Sequence, residues 1–181
     1  MKQQTVYAKA KSVLFLTVAL VTFSVASSFA QGRFSAGAEL ALPQGDFGDA
    51  VGTGFGATLR YEAPINDNLS WMATAGFLTF GKKDVGGGVE VSASIIPINA
   101  GLKYYFTESF NGFYGGVELG LNMAKAKVEF DGDSESDSET KFGFAPQIGY
   151  HLANLDFALR YAIIDEADYI GIRAAYVFGG E

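Results

Sequence analysis

The fold of this chain is decided by residues 95–123, which read IIPINAGLKYYFTESFNGFYGGVELGLNM. Before the break at Thr107 to Asn111, every second residue is apolar, namely Ile96, Ile98, Ala100, Leu102, Tyr104 and Phe106. After the break the alternation resumes with Phe113, Val117, Leu119, Leu121 and Met123. A period of two is typical of β-strands with one apolar and one polar face. The stretch therefore predicts an antiparallel hairpin.

The same alternation recurs on both sides of this hairpin. Further strands are predicted over residues 34–42, 54–63, 69–80, 142–152, 155–163 and 170–178. Each strand is close to the roughly 9 to 11 residues that a tilted strand needs to cross a bilayer. The sequence therefore predicts an all-β, eight-stranded, antiparallel up-and-down β-barrel that crosses a membrane.

The connections between these strands alternate in length. Short turns are expected at Ile65 to Asn68, Thr107 to Asn111 and Ala153 to Asn154. Longer loops are expected at Pro43 to Asp49, Gly81 to Gly88 and Glu129 to Glu139. Outer-membrane barrels have short periplasmic turns and longer outward loops. We expect no helix in this part of the chain.

An export signal is expected before the first strand. Lys2, Lys9 and Lys11 precede the apolar run Ser12 to Ala26, and Ser28-Phe29-Ala30 has the small-x-small pattern of a cleavage site. The pattern predicts a signal peptide over residues 1–30 and a mature domain over residues 31–181. The apolar run is shorter than the roughly 20 residues of a membrane-spanning helix. The chain has no Cys, which excludes disulfides and lipid attachment through Cys.

The charge of the chain narrows its possible partners. It carries 13 Lys and Arg against 20 Asp and Glu, and its formal net charge is −7. An acidic balance argues against nucleic acid as a partner.

Two kinds of barrel fit the alternation. A soluble barrel of the lipocalin kind would turn its apolar face inward around a ligand. Here, however, the polar face combines charges with many glycines, which suit a narrow lumen, and the apolar face has aromatic residues near both ends. Such aromatic residues are typical of the membrane interfaces. The pattern favours a membrane barrel with a charged interior.

Several segments carry a resemblance to a known family. They are Leu42 to Phe47, Ile96 to Phe106, Gly112 to Glu118 and the final Tyr176-Val177-Phe178. The expected mature chain resembles the small outer-membrane β-barrel proteins of Gram-negative bacteria, the porin-family or outer-membrane-protein β-barrel domain. Its layout is similar to the transmembrane domain of outer membrane protein A. The resemblance implies location in the cell outer membrane, contact with its lipid, and assembly by the barrel-insertion machinery.

The last strand also resembles the C-terminal signal that the insertion machinery recognises. Tyr176 and Phe178 would form this assembly signal, although Gly179-Gly180-Glu181 follow the final aromatic residue. The alternative is that both rings are only interfacial anchors.

A barrel of eight strands is just wide enough for side chains to fill its interior. The candidate site is a set of charged residues on the predicted inner face: Glu39, Arg60, Glu62, Lys103, Glu118, Asp156, Arg160 and Arg173. Unpaired buried charges are costly, so we expect these residues to pair and to block the lumen. The predicted function is a structural or surface-interaction role, and the alternative is a small porin for passive transport of solutes.

The sequence shows little sign of catalysis or of cofactor binding. Its single His, His151, falls beside a predicted turn without a nearby Ser, so we expect no enzyme, no catalytic residue and no cofactor. A lipid-modifying enzyme is the least favoured reading. The acidic segment has oxygen ligands at every second position but lacks the glycine pattern of a calcium loop; its members are Asp131, Asp133, Glu135, Asp137 and Glu139. A solvated external loop is expected there, with capture of a divalent cation or an extracellular ligand as the alternative, in a protein that is a monomer.

Overall fold

The computed structural model describes residues 32–107, 110–130 and 133–179, so the expected signal peptide lies outside the described residues. Eight strands follow one another along the chain: β1 (Arg33–Pro43), β2 (Gly54–Pro64), β3 (Leu69–Asp84), β4 (Glu90–Tyr105), β5 (Gly112–Phe130), β6 (Asp133–Leu152), β7 (Leu155–Ile164) and β8 (Tyr169–Phe178). They form one closed barrel, in which each strand pairs with the next and β8 pairs antiparallel with β1. The predicted all-β, eight-stranded antiparallel barrel is confirmed.

The expectation that no helix follows the signal segment is wrong. A short helix, α1 (Gly45–Ala50), lies within the predicted first loop. Phe47 of α1 packs edge-on against Phe80, with ring centroids 4.9 Å apart. Among the described residues, no helix has the length and apolar character that a membrane-crossing helix requires.

Four strands run further than the alternation of apolar residues predicts. β3 and β4 pair as far as Asp84 and Glu90, and β5 and β6 pair as far as Phe130 and Asp133. β4 and β5 stay paired out to Glu90 and Glu129, so the four strands form one sheet beyond the barrel. We call this sheet the extension and define it as residues 81–84, 90–94, 124–130 and 133–141. Half of the loop predicted at Gly81 to Gly88, and most of the loop predicted at Glu129 to Glu139, is therefore strand.

Successive side chains along each strand of the barrel point alternately into the interior and outward. Residues of β7 are exposed and buried in strict succession. Large apolar residues cover the outer face of the strands. In β5, for example, Leu121 is 54% exposed and Phe113 is 66% exposed. This exterior is the reverse of a soluble protein, whose apolar side chains point inward.

An apolar layer closes one end of the interior. The barrel has a turn end, with the short turns, the start of β1 and the end of β8, and a loop end, with α1 and the extension. At the loop end, buried apolar residues from several strands form one cluster: Ala41, Val51, Leu78, Phe80, Ile95, Ala145, Ala162, Ile164, Ala167 and Tyr169. We call this the mouth cluster. It lies between the charged interior and the extension.

Candidate functional site

The eight charged residues of the predicted network all lie inside the barrel. They come from β1, β2, β4, β5, β7 and β8, and none is more than 6% exposed: Glu39, Arg60, Glu62, Lys103, Glu118, Asp156, Arg160 and Arg173. Their positions follow from alternation, because residues of one parity on a strand share one face.

The half of the interior near the turn end contains a chain of ion pairs. Arg33 lies 2.8 Å from Glu62, and Glu62 lies 3.1 Å from Lys103. Lys103 is 2.7 Å from Asp156, which also pairs with Arg173 at 3.1 Å. Each carboxylate thus contacts at least two cations, which is the arrangement that compensates desolvation of a buried charge.

A second chain occupies the half near the loop end. Arg60 contacts Glu118 at 3.3 Å, and Arg160 contacts the other oxygen of Glu118 at 3.4 Å. Arg160 then pairs with Glu39 at 2.7 Å. Arg60 also lies 3.9 Å from Asp156, which joins the two chains. The contacts cross the lumen from β2 to β5 and from β5 to β7.

Neutral polar groups add hydrogen bonds to the guanidinium groups. Arg173 donates hydrogen bonds to Thr58 and Ser35 at 2.7 and 2.9 Å. Arg60 donates to the Thr74 hydroxyl at 3.0 Å, and that hydroxyl donates in turn to Glu118. Hydrogen bonds to charged groups are stronger than neutral ones, and they hold the long side chains in fixed positions.

Arg33 is a member of the network that the sequence analysis missed. The eight predicted residues balance as four acids and four bases, and Arg33 adds a fifth base. Its guanidinium also lies 5.4 Å from the ring centre of Tyr105. Arg33 precedes the first residue of the predicted strand. It is nevertheless an even number of residues from Glu39, and this spacing indicates that both side chains lie on the inner face.

Glycine makes room for the network at one narrow place. A Cβ atom built on Gly171 would lie 2.4 Å from Oε1 of Glu39 and 2.9 Å from Cγ of Arg160. Any larger residue would occupy the space that this ion pair fills. The glycines of the polar face therefore have a packing role here.

His151 lies within the turn end rather than on an open rim. It is 4% exposed, and its Nδ1 is 2.6 Å from the carbonyl oxygen of Phe110. Its ring packs 6.3 Å from that of Tyr105. These contacts are those of a packed side chain that helps to close the turn end.

The described acidic side chains of the extension form no metal site. No group of three His, Cys, Asp or Glu side chains within the described residues could hold a metal ion. Lys141, the last residue of the extension on β6, bridges Glu139 at 3.3 Å and Glu166 at 2.5 Å.

Tyr176 and Phe178, the expected assembly signal, lie on the outer face of β8. They are 49% and 52% exposed, and their rings pack 4.9 Å apart. Phe178 stands opposite Phe34 of β1, beside the seam that closes the barrel.

A closed antiparallel barrel with an apolar exterior and an ion-paired interior defines the class of bacterial outer-membrane barrels. The chain belongs to the outer membrane protein beta-barrel domain family, whose profile matches residues 13–178. The resemblance noted in the sequence is thereby confirmed.

Solved structures show the same fold. The attachment invasion locus protein Ail of Yersinia pestis is 17% identical, with a TM-score of 0.60 over 81% of this chain and 97% of that chain. The N-terminal barrel of OprF from Pseudomonas aeruginosa is 13% identical, with a TM-score of 0.53 over 82% and 100%. Neisserial surface protein A is 15% identical, with a TM-score of 0.51 over 81% and 96%. Comparison with curated protein sequences finds no match.

Proposed function

We propose that this chain is an integral protein of the outer membrane, which crosses the bilayer with a closed barrel and presents the extension outside the cell. On this proposal the protein has a structural or surface-interaction role. The expected signal peptide would export it, and the outer-face aromatic residues of β8 would support recognition by the insertion machinery.

The observation that carries the membrane placement is the change of surface along β5. On its outer face, Leu119, Leu121 and Met123 are exposed and apolar, whereas Lys125 and Lys127 beyond them are exposed and charged. An apolar band with a sharp charged border is what contact with lipid and then with water requires.

The closed state of the lumen is supported by the burial and pairing of its charges. A water-filled pore would leave these side chains exposed, but Arg160 and Arg173 are 2% and 1% exposed. Opening a path would require separating ion pairs that lie in a medium of low dielectric constant, and breaking one buried pair costs about 3 to 5 kcal/mol. Passive transport by a small porin is therefore the less supported role.

Conductance of residues 31–181 in planar bilayers tests this proposal directly. We expect no discrete current steps from protein whose folding is verified by a heat-modifiable gel shift. Steps that change when Lys103 or Glu118 is substituted would overturn the closed lumen and favour the porin. Loss of the gel shift in lipid vesicles would contradict the membrane placement.

A further inference from the structure

A cavity at the loop end is separate from the ion-paired interior. It has a volume of about 330 Å³ and lies between α1 and the extension. Ala93, Ile95 and Ala124 form its floor, and Phe47 and Val51 form one wall. Because the buried mouth cluster continues beneath this floor, a molecule in the cavity would not contact the lumen charges.

The rim of this cavity is acidic. Asp137 and Glu139 of β6 and Glu166 of the β7–β8 connection lie around it, together with Lys125 and Lys141. Lys141 contacts both Glu139 and Glu166, so one ammonium group is shared between two carboxylates. Asp137 has no ion pair among the described residues. The rim therefore has three carboxylates against two ammonium groups, an excess of one negative charge, above an apolar floor.

We infer that this cavity binds small organic cations in which an ammonium group is attached to an apolar body. The apolar body would cover the floor at Ala93, Ile95 and Ala124, and the ammonium group would contact Asp137 and Glu139. Lys141 is an internal precedent, because its own ammonium is held by the same rim. An apolar cavity with a few charged groups that fix orientation is the usual form of a small-molecule site.

The rim is unsuited to anions and to bare metal ions. The net negative charge of the rim would repel an anion. A bare metal ion would need several converging oxygen ligands, which the described residues do not provide. The inference does not depend on whether the lumen conducts, since the mouth cluster separates the two regions.

The test uses three ligands of similar size that differ in charge: 2-phenylethylammonium, 2-phenylethanol and 3-phenylpropanoate. Each is titrated into the refolded mature chain in zwitterionic nanodiscs, and the alanine methyl signals are followed by NMR. We expect shifts at Ala93 and Ala124 for the ammonium, with binding at least about threefold weaker for the alcohol and none for the carboxylate. This binding should weaken as salt is added.

Two variants should move the affinity in opposite directions. Asp137→Asn combined with Glu139→Gln should weaken ammonium binding about threefold to tenfold, as expected for loss of two exposed ionic contacts. Lys141→Met frees both carboxylates and should strengthen it. Asp67→Asn removes one negative charge at the turn end and serves as the control for overall charge.

Three outcomes would overturn the inference. One is equal binding of the three ligands, which would mean partition into an apolar surface or into lipid. Another is an unchanged affinity in the double variant when its heat-modifiable shift is intact. The third is weakening by Asp67→Asn to the same degree, which would assign the effect to overall charge.

Discussion

Arg160 of β7 donates a hydrogen bond to Glu39 of β1 over 2.7 Å, although the two residues lie 121 positions apart in the chain. β7 and β1 do not pair with each other, because β8 lies between them. The contact can therefore form only when β8 pairs with β1 and closes the barrel. Both side chains are almost fully buried, at 1% and 0% exposure, so the pair links barrel closure to a well-packed interior.

Removal of Arg160 should destabilise the barrel. Arg160→Ala leaves the carboxylate of Glu39 without its cation and leaves Glu118 with Arg60 alone. Removing one partner of a buried pair in this way costs about 3 to 5 kcal/mol. We expect a loss of that size in the free energy of unfolding, measured by urea titration in lipid vesicles, together with a leak current. Lys141→Ala is the control, because that ion pair lies at the mouth and should contribute about 1 kcal/mol or less. Unchanged stability and unchanged conductance in Arg160→Ala would contradict a blocking network.

Adding a methyl group next to the Arg160–Glu39 ion pair should also destabilise the barrel. Gly171→Ala introduces a Cβ within 2.4 Å of Glu39 Oε1, so the pair must shift. Overpacking of this kind costs about 1 to 3 kcal/mol, which urea unfolding would measure. Gly115→Ala is the matched control, since the nearest atom to its Cβ is Phe106 Cζ at 3.7 Å. Equal effects of the two substitutions would show that loss of glycine itself, rather than contact with the network, sets the stability.

The border between lipid and water can be located with a single charged residue. Leu119→Arg adds a cation to the apolar belt, where a charge on the lipid face costs about 2 to 4 kcal/mol. Ser138→Arg adds the same cation to the exposed part of β6 in the extension and should leave stability nearly unchanged. Unfolding in lipid vesicles measures both. A similar cost at the two positions would contradict our proposal that the extension lies outside the membrane.

Alternation predicts the barrel well because its strands have one face in contact with apolar surroundings. It fails in the extension. There β5 still alternates with a period of two, but its outward residues are charged and its apolar residues lie on the other face. Beyond Met123 the outward residues Lys125 and Lys127 are charged, whereas Ala124 faces the apolar cavity. The first part of β6 has no apolar residue that would mark it as a strand, so only its backbone pairing with β5 defines it.

Alternation along the strands predicts which charged residues face the interior, but it does not predict which of them pair with each other. Parity puts Glu39, Glu118 and Arg160 on one face of their strands. Which carboxylate meets which guanidinium depends on register, on barrel closure and on lengths of side chains that cross the lumen. Local sequence carries none of these quantities. Tyr169 was likewise missed as a hydrogen-bond partner of Arg160, because it lies where the predicted last loop meets the strand.

Acid should loosen the extension through Glu129. Hydrogen bonds from Lys127 and Lys82 lower the pKa of Glu129 to about 2, and Lys82 also contacts Glu90 at 3.0 Å. Because the pKa is lowered in the folded state, the stabilisation is complete when the pH is above the ordinary pKa of Glu, about 4.3. It is lost as the pH falls through about 2. NMR titration of the Glu129 carboxyl should give this low midpoint, and Lys127→Met should raise it. Lys83→Met is the control, since Lys83 donates to the carbonyl oxygen of Gly48 instead of a carboxylate. A midpoint near 4.3 in the unsubstituted protein would mean that these exposed contacts do not persist in solution.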